Sequence, residues 1–189
     1  MTDFLDPAEL AAAGFARLGA DVRISRGAQF FGRDRIEIGA HTRIDTGCVL
    51  SAGPDGIQIG RNVHMSAFCT VLGQGRVEIG DFCTVSVRCS IFSSNDDYSG
   101  RSMTNPTVPE AFRDAGSGPV RIGAHAILGT GCVVLPNAAI GESASIGALS
   151  LVKAPVPAFA IAAGCPARII GERRREHREL AARYLAAGE

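Results

Sequence analysis

Tryptophan is absent from this 189-residue chain, and only two tyrosines accompany its nine phenylalanines. The formal net charge is zero, so the sequence lacks the basic excess typical of proteins that bind nucleic acid or anionic membranes. No run of about 18 apolar residues is present, so no segment is predicted to be inserted in a membrane. The N-terminus also lacks a basic segment followed by an apolar one, so we expect a cytoplasmic protein.

Glycine and cysteine, by contrast, are well represented, with 23 and six residues. In a cytoplasmic protein the cysteines are expected to be free thiols rather than a disulfide framework. The length suits one domain with its own hydrophobic core. Abundant glycine together with few aromatic residues indicates many tight turns around a narrow core.

A six-residue period runs through most of the chain. From Ile122 the sequence divides into IGAHAI, LGTGCV, VLPNAA, IGESAS, IGALSL and VKAPVP, with an aliphatic first position and a small or β-branched fifth position. The same register starts again at Ile38, Ile59 and Ile79. A period of six fits neither an α-helix nor a regular strand, whereas it fits a short strand followed by a corner. Three such hexads close one triangular coil, which predicts an all-β, parallel β-helix.

The position of the cysteines in the hexads explains most of them. Cys48, Cys69, Cys89 and Cys132 share the fifth position of the second hexad in their coils, and Cys83 has the same position in a first hexad. Free cysteine is among the residues most often buried. We therefore predict a column of small side chains inside the β-helix rather than a metal or redox site.

Helices are predicted at both ends of the repeat. Residues 6–18 fit a helix with Asp6 as N-cap and Pro7 at its first position, and residues 168–187 fit a terminal helix. Such helices would cover the open ends of the β-helix. The predicted parts are an N-terminal helical cap (1–20), a β-helix (21–167) and a C-terminal helix (168–189).

One long insertion interrupts the repeat. After the coil that begins at Ile79, the next coil in register begins only at Ile122, which leaves an insertion over 97–121. The inserted segment is polar, and Pro106 and Pro109 make it unsuited to a continuous strand. A loop of this length in a compact domain is usually functional or disordered, and its aspartates and tyrosine favour function.

The motifs resemble those of a known family. IGAHAILGTGCVVLPNAAIGESASIGALSLV and APVPAFAIAAGCPARIIGER resemble the C-terminal signature of hexapeptide-repeat acyltransferases. RIDTGCVLSA, IGRNVHMSAF, SSNDDYSG and TNPTVPE are similar to the branch that acetylates sugars, some of them nucleotide-linked amino sugars, for bacterial surface polysaccharides such as O-antigen, capsule and exopolysaccharide. The resemblance implies a left-handed parallel β-helix and a homotrimer with active sites between subunits. It also implies acetyl-CoA as co-substrate, a sugar or nucleotide-sugar acceptor and no metal.

Candidate catalytic residues follow from this resemblance. His64 matches a histidine element of the sugar-modifying branch, and Asp96 occupies the place of the histidine base of galactoside-type enzymes. Either Asp96 or Asp97 acts as a base, or one of them orients a histidine of the same or the adjacent subunit, or an amine acceptor needs little activation. A carboxylate is a poor base for a sugar hydroxyl but binds a sugar ammonium well, which favours an amine acceptor or a carboxylate–histidine pair. O- and N-acetylation both remain open at this point.

Binding residues are assigned in the same way. Tyr98 and Asn105, in the insertion, are expected to bind the acceptor. Glycine and alanine allow the pantetheine arm of CoA to approach the backbone, and Lys153 and Arg168 offer cations for its phosphates or are ordinary surface charges. The residues that match the CoA-lining positions of the family are Gly129, Gly147, Ala148, Ser150, Lys153 and Arg168.

Three histidines remain besides His64, and two other functions are alternatives to acyl transfer. His41 and His125 fall on corner positions that are expected to face solvent, although a corner can also face the neighbouring subunit. His177 is expected on a solvated helix face together with Arg173–Arg175. A metalloenzyme resembling carbonic anhydrase needs three converging histidines, two of them close in sequence, whereas no two histidines here are closer than 23 residues. A non-enzymatic scaffold is the other alternative, and the AGCPAR tail and the ordered insertion argue against it.

Overall fold

The strands of this protein are mostly two to four residues long and alternate with sharp corners. The computed structural model describes residues 3–187 and shows about seven coils stacked as a left-handed parallel β-helix, which confirms the predicted fold. Each complete coil gives one strand to each of three faces, and each strand pairs in parallel with its counterpart in the next coil. The backbone hydrogen bonds between coils therefore run along the axis of the β-helix.

The three faces are named in the order in which the chain visits them. The first face contains β1 (Arg17–Leu18), β4 (Ile36–Ile38), β7 (Ile57–Ile59), β10 (Val77–Ile79), β15 (Val120–Ile122) and β18 (Ala139–Ile140). The second contains β2 (Arg23–Ile24), β5 (Arg43–Ile44), β8 (His64–Met65), β11 (Thr84–Val85), β16 (Ile127–Leu128), β19 (Ser145–Ile146), β21 (Ala160–Ala163) and β22 (Arg168–Glu172). The third contains β3 (Gln29–Phe31), β6 (Val49–Ala52), β9 (Thr70–Gly73), β12 (Ser90–Phe92), β17 (Val133–Val134) and β20 (Leu151–Val152).

The hexad positions point inward as predicted. First-position residues such as Ile59 and Ile122 are at most 2% exposed, and Cys48, Cys69 and Cys89 are completely buried. The Sγ atoms of the predicted cysteine column each lie 3.1 Å from a carbonyl oxygen of the next coil, which gives these thiols acceptors. The predicted column of small buried side chains is thus confirmed, and the described cysteines are free thiols.

The corners need left-handed backbone conformations. The first corner, between the first and second faces, has a positive φ at one non-glycine residue in each coil: Asp21, His41, Asn62, Phe82, His125, Ser143 and Phe159. The second corner lies between the second and third faces, and the third corner leads from the third face into the next coil. The sequence correctly predicts that His41 and His125 are corner residues.

The N-terminal helix is shorter than predicted. Helix α1 spans Pro7–Ala12, and the Asp6 and Glu9 side chains form a capping box at its start. It does not reach residue 18, because Gly14 adopts a left-handed φ of 74° and the chain then enters β1, which pairs with β4. The β-helix therefore begins at Arg17 rather than at residue 21.

The C-terminal segment also differs from the prediction. Residues Arg168–Glu172 form β22, which pairs antiparallel with β21, and helix α2 begins only at Glu176 and ends at Ala186. The strand satisfies backbone groups that β21 would otherwise leave unpaired at the end of the second face. Within residues 3–187, no helix is both long and apolar enough to cross a membrane.

The insertion projects from the third corner as an arm, defined here as residues 94–117. Its base is an antiparallel pair, β13 (Ser94–Asn95) and β14 (Gly116–Ser117), and a 3-10 helix spans Glu110–Phe112. The arm starts three residues earlier than predicted. It also ends earlier, because Val120 and Arg121 already belong to β15 and pair with β10.

Candidate active site

A cavity of about 400 Å³ lies where the arm leaves the β-helix. We call it the arm cavity. Asp96, Asp97 and Asp114 of the arm meet Lys153 there, at the end of the third face, so two of the predicted catalytic residues and one predicted CoA-binding residue share one cavity. Lys153 is also the single lysine of the chain. The other lining residues are Asn95, Arg101, Gly116, Ser117, Leu135, Pro136 and Asn137.

The two adjacent aspartates have different environments. Asp96 is exposed, and within residues 3–187 its carboxylate has no hydrogen bond and no ion pair. Both carboxylate oxygens of Asp97 instead accept hydrogen bonds, at 2.8 Å from the Ser99 amide nitrogen and 2.9 Å from the Ser102 amide nitrogen. Hydrogen bonds from Ser99 and Ser102 hold the pKa of Asp97 far below its usual value. Asp96 is therefore the aspartate that is available to a ligand.

The predicted CoA-lining residues at the second corner also have packing roles. A Cβ atom on Gly129 would lie 2.5 Å from the amide nitrogen of Ala148, so the next coil requires glycine there. The hydroxyl of Ser150 donates to the carbonyl oxygen of Gly147 at 2.6 Å and accepts from the amide of Gly164 at 3.0 Å. The hydrogen-bonding capacity of the Ser150 hydroxyl is thus used by backbone groups of the protein itself. That these residues line CoA stays a prediction.

Lys153 and Arg168 border a common cavity. Both line a smaller cavity of about 120 Å³ at the C-terminal end of the β-helix. Lys153 therefore borders this cavity and the arm cavity, and Arg168 borders only the smaller one. A ligand that follows this end of the third face would meet two cations and then the carboxylates of the arm.

His64 is paired with an aspartate of the preceding coil. Its Nε2 atom lies 2.8 Å from Oδ2 of Asp45, whose other oxygen accepts a hydrogen bond of 2.6 Å from Nε of Arg43. Partial burial raises the pKa of Asp45, but the hydrogen bonds from His64 and Arg43 outweigh it, so the pKa lies below its usual value. Sequence reasoning missed Asp45. The signal was a carboxylate at the hexad position that is glycine in later coils, as at Gly129 and Gly147.

One chain does not bring His64 and Asp96 together. His64 lies on the second face, next to the second corner, and Asp96 follows the third-face strand β12 at the third corner. The two residues are thus separated by the width of the third face. A single site that uses both residues would need two chains.

Tyr98 and Asn105 lie on the arm but do not line its cavity. Tyr98 is 87% exposed. The Asn105 side-chain oxygen accepts hydrogen bonds from the Thr107 amide at 3.0 Å and from the Thr107 hydroxyl at 2.9 Å, so it shapes a turn. Their predicted contacts with the acceptor stay predictions.

The expectation that His125 and His177 face solvent is wrong. The ring of His125 stacks on Phe82 with 5.0 Å between the ring centroids, and His177 Nε2 lies 2.8 Å from Oγ of Ser143. Partial burial lowers the pKa of both histidines. Helix α2 thus packs on the first corner. The described residues contain no group of three or more histidine, cysteine or acidic side chains that could hold a metal ion.

Comparison with known proteins identifies the family. No family model matches the chain. Over 177 residues it is 45% identical to dTDP-4-amino-4,6-dideoxy-D-glucose acyltransferase of Escherichia coli, which covers 94% of this chain and 92% of that protein. The chain belongs to the hexapeptide-repeat acyltransferases. It is an enzyme of the acyltransferase class, which confirms the resemblance seen in its sequence.

Solved structures agree with this assignment. The acyltransferase superposes on AntD, an N-acyltransferase of Bacillus cereus solved with dTDP and 3-hydroxybutyryl-CoA, with a TM-score of 0.94 and 33% identity over 99% of this chain and 98% of AntD. Other AntD structures carry replacements of one aspartate or of a serine ten positions before it. A Vibrio cholerae hexapeptide-repeat acetyltransferase shares the fold alone, with a TM-score of 0.59 and 22% identity over 90% and 80% of the two chains.

Proposed function

We propose that this acyltransferase transfers the acetyl group of acetyl-CoA to the amine of a dTDP-linked 4-amino-4,6-dideoxy sugar. The observation that carries the proposal is Asp96, a carboxylate in the cavity beside the arm that has no hydrogen-bond or ion-pair partner within residues 3–187. The identity along nearly the full length with an E. coli enzyme named for such a sugar supports the choice of acceptor. The complex of AntD with dTDP and an acyl-CoA supports it independently.

The chemistry of a carboxylate favours an amine over a hydroxyl. A sugar amine is protonated at neutral pH, and a carboxylate binds such an ammonium by a charge-assisted hydrogen bond. Once the ammonium has lost one proton to solvent, the neutral nitrogen forms a bond to the thioester carbonyl carbon and the carbon–sulfur bond breaks. The nitrogen then loses a second proton to give the amide, and the thiolate of CoA takes up a proton and leaves as the thiol. Asp96 holds the amine in place and accepts the hydrogen bond of the attacking nitrogen.

The spacing between a serine and an aspartate distinguishes Asp96 from Asp97. In AntD the replaced serine precedes the replaced aspartate by ten positions. Ser86 precedes Asp96 by ten positions in this chain, whereas the residue ten positions before Asp97 is Val87. We therefore assign Asp96 as the counterpart of the AntD aspartate and Ser86 as that of its serine. Ser86, like Asp45, occupies a hexad position that is glycine in later coils, which was the signal in the sequence.

We propose a homotrimer with sites between subunits, and this assignment supports it. Ser86 follows β11 at the second corner and Asp96 follows β13 at the third corner, so β12 separates them within one chain. The second corner also exposes the apolar side chains of Phe68, Val87 and Leu149. An exposed apolar edge of this kind is typical of a surface that another subunit covers. We propose that the second corner of one subunit faces the third corner of its neighbour.

The second corner and the end of the third face are the proposed CoA site. Gly129, Gly147, Ala148 and Ser150 form a narrow corner along which the pantetheine arm can lie close to the backbone. Lys153 and Arg168 supply two cations for the phosphates. The amide product would be an activated sugar ready for glycosyl transfer, which fits a cytoplasmic step of surface-polysaccharide synthesis.

Two single substitutions test the proposed residues. Turnover is measured as release of free CoA thiol from acetyl-CoA with a dTDP-4-amino-4,6-dideoxy sugar as acceptor. Because Asp96 holds the amine, Asp96→Asn is expected to lower kcat by about 100-fold or more. His64→Ala is expected to lower kcat by about tenfold, since His64 lies on the proposed opposite wall of the site.

Asp34→Asn is the matched control, since Asp34 is an exposed carboxylate whose single ion pair within residues 3–187 is with its neighbour Arg35. It is expected to turn over like the wild type. Near-normal kcat in both Asp96→Asn and His64→Ala would refute the assignment of the site.

A further inference from the structure

We infer that Asp97 is a positioning residue that fixes Asp96 in the wall of the arm cavity, an inference that rests on the function proposed above. The two residues are adjacent in sequence, yet their carboxylates differ in their hydrogen bonds. Asp96 has no partner among the described residues, whereas Asp97 is occupied by the arm itself. The group of contacts around Asp97 is called the arm clasp and consists of Asp97, Ser99, Ser102 and the amide of Asp114.

The clasp first orders a turn in the N-terminal half of the arm. Oδ1 of Asp97 accepts from the Ser99 amide, and Oδ2 accepts from the Ser102 amide and, at 3.3 Å, from the Ser102 hydroxyl. Three donors that are two and five residues further along the chain thus converge on one carboxylate. Hydrogen bonds to a charged acceptor are stronger than neutral ones, so this turn is well defined.

The clasp also forms a hydrogen bond to the C-terminal half of the arm. The Ser102 hydroxyl donates to Asp97 and accepts a hydrogen bond of 3.1 Å from the amide of Asp114. A hydroxyl can do both at once, since it has one proton and two lone pairs. Asp114 lines the same cavity as Asp96. The chain of hydrogen bonds from Asp97 through Ser102 to Asp114 therefore joins two residues that line the cavity, one from each half of the arm.

Asp96 lies between two fixed points. On one side, Asn95 pairs with Gly116 in the antiparallel base of the arm, and on the other side Asp97 is held by the clasp. Because no hydrogen bond or ion pair within residues 3–187 holds the Asp96 side chain, its position depends on the backbone that carries it. Because small errors in the placement of a reacting group lower turnover strongly, the clasp contributes to kcat through Asp96.

The same contacts make Asp97 unsuited to be the base. A base needs a lone pair that can reach the proton of the acceptor, and both oxygens of Asp97 point at donors of its own loop. The low pKa of Asp97 also keeps it ionised and weakly basic throughout the neutral range. The NDD sequence thus combines one aspartate that contacts substrate with one that orders the loop.

A double-mutant cycle tests the inference on the full-length enzyme. Asp97→Asn keeps the size of the side chain but replaces one acceptor oxygen with a donor, which opposes an amide of the clasp. Alone it is expected to lower kcat by about tenfold with little change in the KM for acetyl-CoA. In the Asp96→Asn background it is expected to cost nothing further, because its effect acts through Asp96. Ser102→Ala, which breaks only the link to Asp114, is expected to lower kcat by a smaller factor.

The control variant is Thr107→Val, which removes a hydrogen bond of 2.9 Å elsewhere on the arm and is expected to leave kcat unchanged. Trypsin cleavage after Arg101, inside the clasp, is expected to be faster in Asp97→Asn than in Thr107→Val. A further loss of kcat in the double variant, or equal cleavage in the two single variants, would overturn the inference. If the wild type itself fails to acylate the amine, the proposed function fails, and the cleavage rates still decide whether the clasp exists.

Discussion

At the scale of single residues, a side chain was predictable where its hexad position alone determines its surroundings. The hexad pattern predicts that Cys69 and Ile122 lie in the interior, because the repeat admits only small or aliphatic groups there, and both are buried. The environments of Asp96 and Asp97 were not predictable. They depend on loop donors such as Ser102, whose place relative to the carboxylate follows no period.

Lys153 offers a residue-scale test of the donor site. Acetyl-CoA is expected to protect it from an amine-reactive acetylating reagent by about tenfold or more, because its ammonium would contact a CoA phosphate. As the single lysine of the chain, it gives one peptide to quantify by mass spectrometry. The N-terminal amine of the same molecule is the internal control and should react equally with and without the ligand. Equal labelling of Lys153 in both samples would contradict its role in binding CoA.

At the scale of elements, the sequence predicted the strands better than the ends of the repeat. The hexads determine where each strand and corner fall, since a slip by one residue would turn aliphatic side chains outward. The end helices depend on contacts made across the fold. Helix α2 is held by Arg173, whose guanidinium donates to the His125 carbonyl at 2.7 Å, and by Tyr184, whose hydroxyl accepts from Asn62 at 3.1 Å. A local sequence pattern does not predict hydrogen-bond partners that are so far apart in the sequence.

The packing of α2 predicts a pH dependence of stability. The pKa of His125 and that of His177 are lowered in the folded protein, mainly by partial burial and also by charged neighbours that include Arg173 and Arg178, while Glu142 acts in the opposite direction. The unfolded chain therefore binds protons at a higher pH than the folded chain does. The contribution of the two histidines to stability is complete above the ordinary histidine pKa of about 6.5 and decreases as the pH falls below it.

The thermal midpoint of unfolding is the measurement that checks this. Between about pH 7 and pH 5 it should fall by about 2–4 °C more in the wild type than in His177→Gln. Glutamine can keep a hydrogen bond to Ser143 but takes up no proton. Comparison of the two proteins removes the contribution of carboxylates such as Asp45, which also lose favourable contacts in acid. An identical fall in both proteins would refute the role of His177.

At the scale of the whole molecule, the β-helix separates groups that the reaction would need together. A triangular prism places Ser86 and Asp96 on different corners, and no rearrangement of the arm alone changes the corner of Ser86. Assembly of neighbouring subunits is the simplest way to complete the site. The sequence predicted a homotrimer only through family resemblance, since a repeat describes the stacking of coils and says nothing about the packing of whole chains.

Mixed assemblies test this composite site. Ser86→Ala and Asp96→Asn chains, each carrying a different tag, are unfolded and refolded together or coexpressed, and the mixed species are purified. If each site takes Ser86 from one chain and Asp96 from its neighbour, about one quarter of the sites in a random equal mixture are intact. Activity should then rise well above that of either variant alone. The absence of any gain in verified mixed trimers would show that one chain supplies both residues.

The proposed function requires that an amine of a nucleotide-linked sugar receives the acyl group. The most direct measurement compares two acceptors that differ only at C4, dTDP-4-amino-4,6-dideoxyglucose and dTDP-6-deoxyglucose, each with acetyl-CoA and the wild-type enzyme. CoA release and an acetylated product are expected with the amine, at a kcat/KM at least about 100-fold above that for the hydroxyl. Equal turnover of the two acceptors, or turnover of neither, would refute the proposed function.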